Sequence, residues 1–206
     1  GDLDRVDHAL LDFFPGRTIA NDEPRKRAIT LEHALTMTAG LAWDEWRPND
    51  PQNSFVQMQA SRDHFQFVLD RPMQAAPGTL WTYNSGLPLL LAGILQDRAH
   101  TDLRSFAQTV LFDPVQMNAV MDPSDPARLL SIALTPRDMA KFGYLYLRDG
   151  LWNGKQVLPA SWVQASTANH AQTPYGSNYG YFWWLPSYGG YAAEGDGGQR
   201  IAVLPE

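Results

Sequence analysis

The hydrophobic period of this chain changes once, near residue 170, and that change limits the architectures open to it. Before it, apolar residues recur at helical spacing. Leu3, Val6, Leu10, Phe13 and Phe14 predict a first helix closed by Pro15-Gly16. Thr30 reads as the cap of a helix over residues 31–38, with Gly40 as its left-handed stop. Ser61 reads as the cap of a helix running to Leu69. Ser85 caps an apolar helix over 87–99, with Pro88 in the first turn, where a missing N–H costs little. A helix is expected over 102–111. Thr135-Pro136-Arg137-Asp138 combine a cap, an N1 proline and an acid at N3, so a helix to Arg148 is expected, ended by Gly150. A short helix follows from about 159 to 166, and residues 17–27, 43–53 and 115–130 read as loops. Beyond the change, 179–185, 191–194 and 199–204 are aromatic or β-branched runs separated by Ser187-Tyr188-Gly189-Gly190 and Gly195-Asp196-Gly197-Gly198. That pattern predicts an antiparallel meander of two or three strands. The fold class is α+β: residues 1–170 mostly helical, residues 171–206 the start of an antiparallel sheet.

Charge and composition remove several functions. Sixteen basic residues against 22 acidic ones give a net charge of −6, the wrong sign for a nucleic-acid face. The longest apolar run, 87–95, contains Pro88 and Gly93 and is far shorter than the ~18 residues of a membrane span. No cysteine is present, which excludes disulfides, thiolate metal ligands and a cysteine nucleophile. His8, His33, His64, His100 and His170 form no i, i+4 pair and no H-x-E pattern, so neither a metal site nor a cofactor is expected.

Three places can carry chemistry. On an extended segment before a helix, Tyr83 and Ser85 would point the same way, with the hydroxyl at the positive helix end. Such a pair can pass a proton to and from a nucleophile if a cation lowers the phenol pKa. The same residues also suit a plain turn with a capping serine. Gly195 to Gln199 opens a strand. Glycines there allow close approach of a ligand, and an edge strand can offer N–H groups to a carbonyl oxygen, but an ordinary hairpin turn reads identically. Among the aromatics, alternation places Tyr181 and Trp183 on one face and Phe182 and Trp184 on the other, one face core and one able to line an apolar pocket.

Taken in order, longer segments carry a family resemblance. Ile29-Thr30-Leu31-Glu32-His33-Ala34-Leu35-Thr36-Met37-Thr38-Ala39-Gly40-Leu41 resembles the "IT(I/L)xHLLTMTSGL" segment of serine β-lactamases and penicillin-binding-protein-like hydrolases. Pro77-Gly78-Thr79-Leu80-Trp81-Thr82-Tyr83-Asn84-Ser85-Gly86 is similar to their "PGxxFxYSNxG" segment, which holds the Tyr-x-Asn/Ser motif. Residues 134–143 look like their "lTarDlakfG" helix, 150–159 like their "GxWxGkqvLp" turn, and 195–206 like the strand of the third motif, Lys/His-Thr/Gly-Gly. The resemblance implies a β-lactamase/transpeptidase-like fold, a helical lobe plus an antiparallel sheet flanked by helices. It implies acyl transfer through an acyl-serine, with Ser-x-x-Lys as nucleophile and the motif Tyr sharing the base work. The branch is the class C type, which includes esterases and 6-aminohexanoate-oligomer hydrolases, and its members are commonly exported to the periplasm or secreted. On this resemblance Tyr83, Ser85, Gly198 and Gln199 are catalytic and Asn84, Asp196 and Gly197 bind substrate, while the aromatic alternation offers Trp183 or Trp184 as a substrate-binding wall.

Two departures shape the expectation. Lys26, Lys141 and Lys155 are preceded at −3 by Glu23, Asp138 and Trp152, so the chain has no Ser-x-x-Lys; the family's order places that motif just upstream of residue 1. Asp196 aligns with the third-motif Lys or His, although a one-residue shift puts Gly197 there. An acid there repels a substrate carboxylate, which favours a small ester or amide substrate over a penicillin-like one. The alternative is a catalytically inactive relative that binds a peptide or cell-wall-like ligand. Substrate identity and oligomeric state are not encoded in any motif.

Overall fold

A computed structural model describes residues 3, 5–47, 50–121 and 132–205. They form two compact units, the first within the chain up to His100 and the second from Thr101 onward.

The first unit holds α1 (Pro24–Arg27), α2 (Leu31–Leu35), α3 (Ser54–Ala60), α4 (His64–Leu69) and α5 (Gly86–Ala99). Its core gathers Leu10, Ile29, Ala34, Met58, Val68, Leu87, Leu90 and Ile94, all nearly fully buried. The expected first helix is instead a single 3-10 turn, Leu10–Phe13. Its neighbours bond across the chain: Leu10 N donates to Ile29 O at 2.8 Å, Leu31 N to His8 O at 3.0 Å and Glu32 N to Val6 O at 2.7 Å. Backbone committed to that pairing cannot also close helical turns. Helix α2 stops at Leu35 because Met37 takes φ +61°, well before Gly40. Helix α3, in a stretch the sequence left unassigned, starts at the Asn53 cap, and α4 is capped by Asp63 rather than Ser61. Lys26 is buried, and its ammonium donates to Ala20 O at 2.8 Å and Leu69 O at 2.9 Å, tying the segment before α1 to the end of α4.

The second unit opens with α6 (Leu103–Ala107), a π-helical turn (Gln108–Phe112) and α7 (Asp113–Val115), where one continuous helix was expected. Strand β1 (Val120–Met121) lies inside the expected loop and pairs with β2 (Ile132–Ala133); residues 122–130 of that loop lie outside the described residues. Helix α8 (Pro136–Leu147) begins as expected, with the Thr135 hydroxyl accepting from Asp138 N. The short hairpin of β3 (Leu151–Trp152) and β4 (Lys155–Gln156) leads to α9 (Ala160–Ser166). The meander has five antiparallel strands in chain order, β5 (Ala171–Gln172), β6 (Asn178–Tyr179), β7 (Trp184–Leu185), β8 (Tyr191–Glu194) and β9 (Arg200–Val203), two or three having been expected. The run expected as one strand over 179–185 is cut by Phe182 at φ +61°. Helix α8 lies on β9 at Gly143, where a Cβ would come within 3.0 Å of the Ile201 side chain. Among the described residues no helix is long and apolar enough to cross a membrane.

Candidate active site

In the first unit, Tyr83, Asn84 and Ser85 sit on the loop that feeds α5, and the loop is held by backbone bonds to the turn after α2. Thr82 N donates to Met37 O at 2.9 Å, and Gly78 N to Thr38 O at 2.8 Å. Gln74 N donates to Gly40 O at 2.8 Å; a Cβ on Gly40, which sits at φ +75°, would lie 2.5 Å from Ala75 O, so the close approach requires glycine. Asn84 is only 2% exposed, and its Oδ1 accepts from Gly86 N at 2.8 Å.

Asn84 thereby takes over the capping expected of Ser85. Ser85 occupies the N-cap position of α5, but its backbone is αR, not extended, and its hydroxyl makes no cap bond. The hydroxyl donates to Glu45 Oε1 at 2.7 Å while its own N–H donates to Glu45 Oε2 at 2.9 Å. A carboxylate acceptor gives stronger bonds than a neutral cap, which explains the choice. The Trp43 indole N–H also donates to Glu45 Oε2. The acid is itself positioned, since Asn53 donates through Nδ2 to Glu45 O and Arg47 O, each at 3.0 Å. Sequence reading missed Glu45: it lies in a loop without a motif, forty residues from Ser85, and its one signal is its place among Trp43 and Trp46. The half-buried Tyr83 ring stands 5.8 Å from Trp46 and 6.3 Å from Trp81, centroid to centroid.

His33 supports this region from α2. Its Nδ1 accepts from Thr30 N at 3.1 Å as one half of a capping box, and its Nε2 edge lies beside Gly78. Burial, opposed by the charge of Glu32, holds its pKa below the ordinary value. The unfolded chain therefore binds the proton more tightly. The contribution of His33 to stability is full above ~6.5, the unfolded pKa, and is lost as pH falls below it. Protonation also removes the acceptor for Thr30 N–H, a cap of roughly 1 kcal/mol. His33→Gln keeps a cap-competent N3 side chain without the titration. Urea unfolding between pH ~7.5 and ~5, a window that brackets the ordinary imidazole pKa, is expected to show a fall in stability in the wild type that is flattened in this variant; parallel curves would refute the assignment.

In the second unit, Asp196 to Gln199 form the turn between β8 and β9, the ordinary hairpin. Gly195 N donates to Gln199 O at 2.9 Å and Gly198 N to Gly195 O at 3.0 Å, with Gly198 at φ +80°. Asp196, Gly197, Gly198 and Gln199 are exposed. The Gln199 side chain folds over the turn, so a Cβ on Gly195 would meet its Nε2 at 2.4 Å. Gly195 and Gln199 line a cleft of about 440 Å³ with Ile132, Leu134, Met139 and Ile201. Trp183 and Trp184 are placed differently. Trp183, 4% exposed, packs in the core beside Tyr146, Val163, Tyr191 and Val203. Trp184 is half-buried and edge-on to Tyr179 at 5.1 Å.

Of the three lysines, Lys26 is held by two carbonyls, Lys141 bonds Asp138 Oδ1 at 2.9 Å and Gln116 O, and Lys155 is exposed on β4. Among the described residues no three His, Asp or Glu side chains cluster to hold a metal ion.

A family model for beta-lactamase matches residues 4–206. The chain belongs to the beta-lactamase family. Among solved structures, one assigned as a 6-aminohexanoate-dimer hydrolase from Bacillus anthracis superposes with TM-score 0.77 at 21% identity, over 97% of this chain and 57% of that one. A penicillin-binding protein homologue from Caulobacter crescentus gives TM-score 0.73 at 16% identity, over 97% and 67%. A beta-lactamase/D-alanine carboxypeptidase from Yersinia pestis, complexed with citrate, gives 0.68 at 18%, over 94% and 64%. No curated protein is significantly similar in sequence. These likenesses establish the β-lactamase/transpeptidase-like α+β fold for a chain that spans 57% of the first of those structures and 50% of the Pyrococcus abyssi penicillin-binding protein homologue.

Proposed function

We propose that the protein carrying this chain is a serine hydrolase that cleaves a small ester or amide through an acyl-serine. The observation that carries the reading is the loop before α5: a half-buried Tyr83 between Trp46 and Trp81, next to a Ser85 whose hydroxyl is fixed by a carboxylate. A phenol close in sequence to a hydroxyl of fixed orientation is the kind of polar pair that proton transfer at a serine nucleophile can use. The hydrolase and carboxypeptidase named among the structural neighbours support the same class. In this reading Tyr83 moves the proton as base and then acid. The nucleophile comes from sequence other than these 206 residues, because no lysine here follows a serine at +3.

The reading is tested by treating the full-length protein with a fluorophosphonate probe. One covalent adduct on a serine of a Ser-x-x-Lys segment is expected. A folded, full-length preparation that takes no adduct overturns the hydrolase reading and favours a ligand-binding relative, which the absent motif and the exposed Asp196 would then explain.

A further inference from the structure

The hydrogen-bond polarity at Ser85 narrows the substrate class, on the strength of the hydrolase reading. Glu45 meets three donors: Ser85 N–H, the Ser85 hydroxyl and the Trp43 indole N–H. An indole and a backbone amide can only donate, and an ionised carboxylate can only accept, so Ser85 spends its single proton on Glu45. What remains on Ser85 Oγ is lone pairs. Ser85 is partly exposed, and a ligand that met its hydroxyl would meet those lone pairs. A free serine would adapt, donating to a carbonyl or ether oxygen as readily as it accepts. This one is held as an acceptor, and Asn53 fixes the backbone of the anchoring residue by donating to Glu45 O.

We propose that Glu45 is a positioning residue that makes Ser85 an obligate acceptor, and that the site thereby selects substrates whose scissile group presents an N–H: amides over esters. An ester offers Ser85 only oxygen lone pairs, which face its own without a proton between them. A site built to pair one polar group discriminates against the analogue that lacks it, because the protein atom is left unsatisfied.

The test is Glu45→Gln. The new side-chain oxygen can still accept from Ser85 N–H and Trp43, which turns the new NH₂ toward Ser85 Oγ. Ser85 must then accept from that amide and aim its proton outward, reversing the polarity with almost no change in shape. The readout is the ratio of kcat/KM for butyryl p-nitroanilide to that for p-nitrophenyl butyrate, measured on the full-length protein. The ratio is expected to fall roughly tenfold, the scale of one hydrogen bond. Ser85→Ala, which removes the acceptor outright, should lower the ratio similarly, and it decides the matter if Glu45→Gln does not fold. A merely structural role for Glu45 would depress both rates together and leave the ratio unchanged, which overturns the proposal, as does a wild type that cleaves the ester and leaves the anilide intact. A wild type that cleaves neither and takes no fluorophosphonate adduct overturns the hydrolase reading itself.

Discussion

Tyr83→Phe is expected to lower kcat by about 10²- to 10⁴-fold in the full-length protein, the range for losing a positioned acid–base group. The ring keeps its neighbours, Trp46 at 5.8 Å and Trp81 at 6.3 Å, so the loop before α5 should stay folded. KM should move little, because the phenol is asked to act on a proton and not to hold the substrate. An unperturbed phenol ionises near ~10, so base work at neutral pH needs a cation beside the oxygen. In the proposed reading the lysine of the nucleophile segment supplies that cation. The loss should therefore appear in the rate of labelling by the fluorophosphonate probe as well as in turnover, since both require the serine to be deprotonated. A kcat within about threefold of wild type, at unchanged thermal stability, would show that Tyr83 only packs.

What could be read from the sequence divides by range. Thr30, Asn53, Asp63 and Thr135 all cap helices through bonds three residues long. Thr30 and Thr135 were legible because a good helical pattern follows each; Asn53 was hidden in a segment of Trp, Pro and acids that reads as loop. The amphipathic spacing from Leu3 to Phe14 misled, because its donors and acceptors are taken by residues 29–32, a contact that no local pattern announces. Two-residue strands such as β5 and β6 are shorter than the window over which alternation can be counted.

The candidate residues follow the same rule. Tyr83-Asn84-Ser85 and the Gly195–Gln199 turn could be found because each is contiguous. Their partners could not. Glu45 reaches Ser85 across forty residues, and the capping task moved from Ser85 to Asn84 because a carboxylate that local sequence does not show claimed the hydroxyl. The alternation argument correctly separated Tyr181 and Trp183 from Phe182 and Trp184. It could not say which face was core, and the positive φ of Phe182 shows that the alternation runs through a kink and not along one strand.

Trp183→Ala decides between those two faces by energy. The indole is 4% exposed and stacks on Phe142 at 6.1 Å, with Tyr146 at 4.7 Å and Tyr191 at 5.1 Å. Removing so large a buried ring should cost about 3–5 kcal/mol, lost transfer free energy plus an unfilled cavity. The rigid surroundings, α8 and the β8–β9 pair, give the cavity little chance to collapse. A second signature is available at Tyr191, whose phenol is pushed up to about 12 by burial first and then by Asp149 and Tyr146. Opening the core to water should bring that ionisation down toward the ordinary tyrosine value, visible in an ultraviolet pH titration of the folded variant. If Trp183 instead lined a substrate pocket, the variant would unfold within about 1 kcal/mol of wild type, Tyr191 would titrate unchanged, and the defect would appear as a raised KM. The packing observed predicts the opposite on all three measurements.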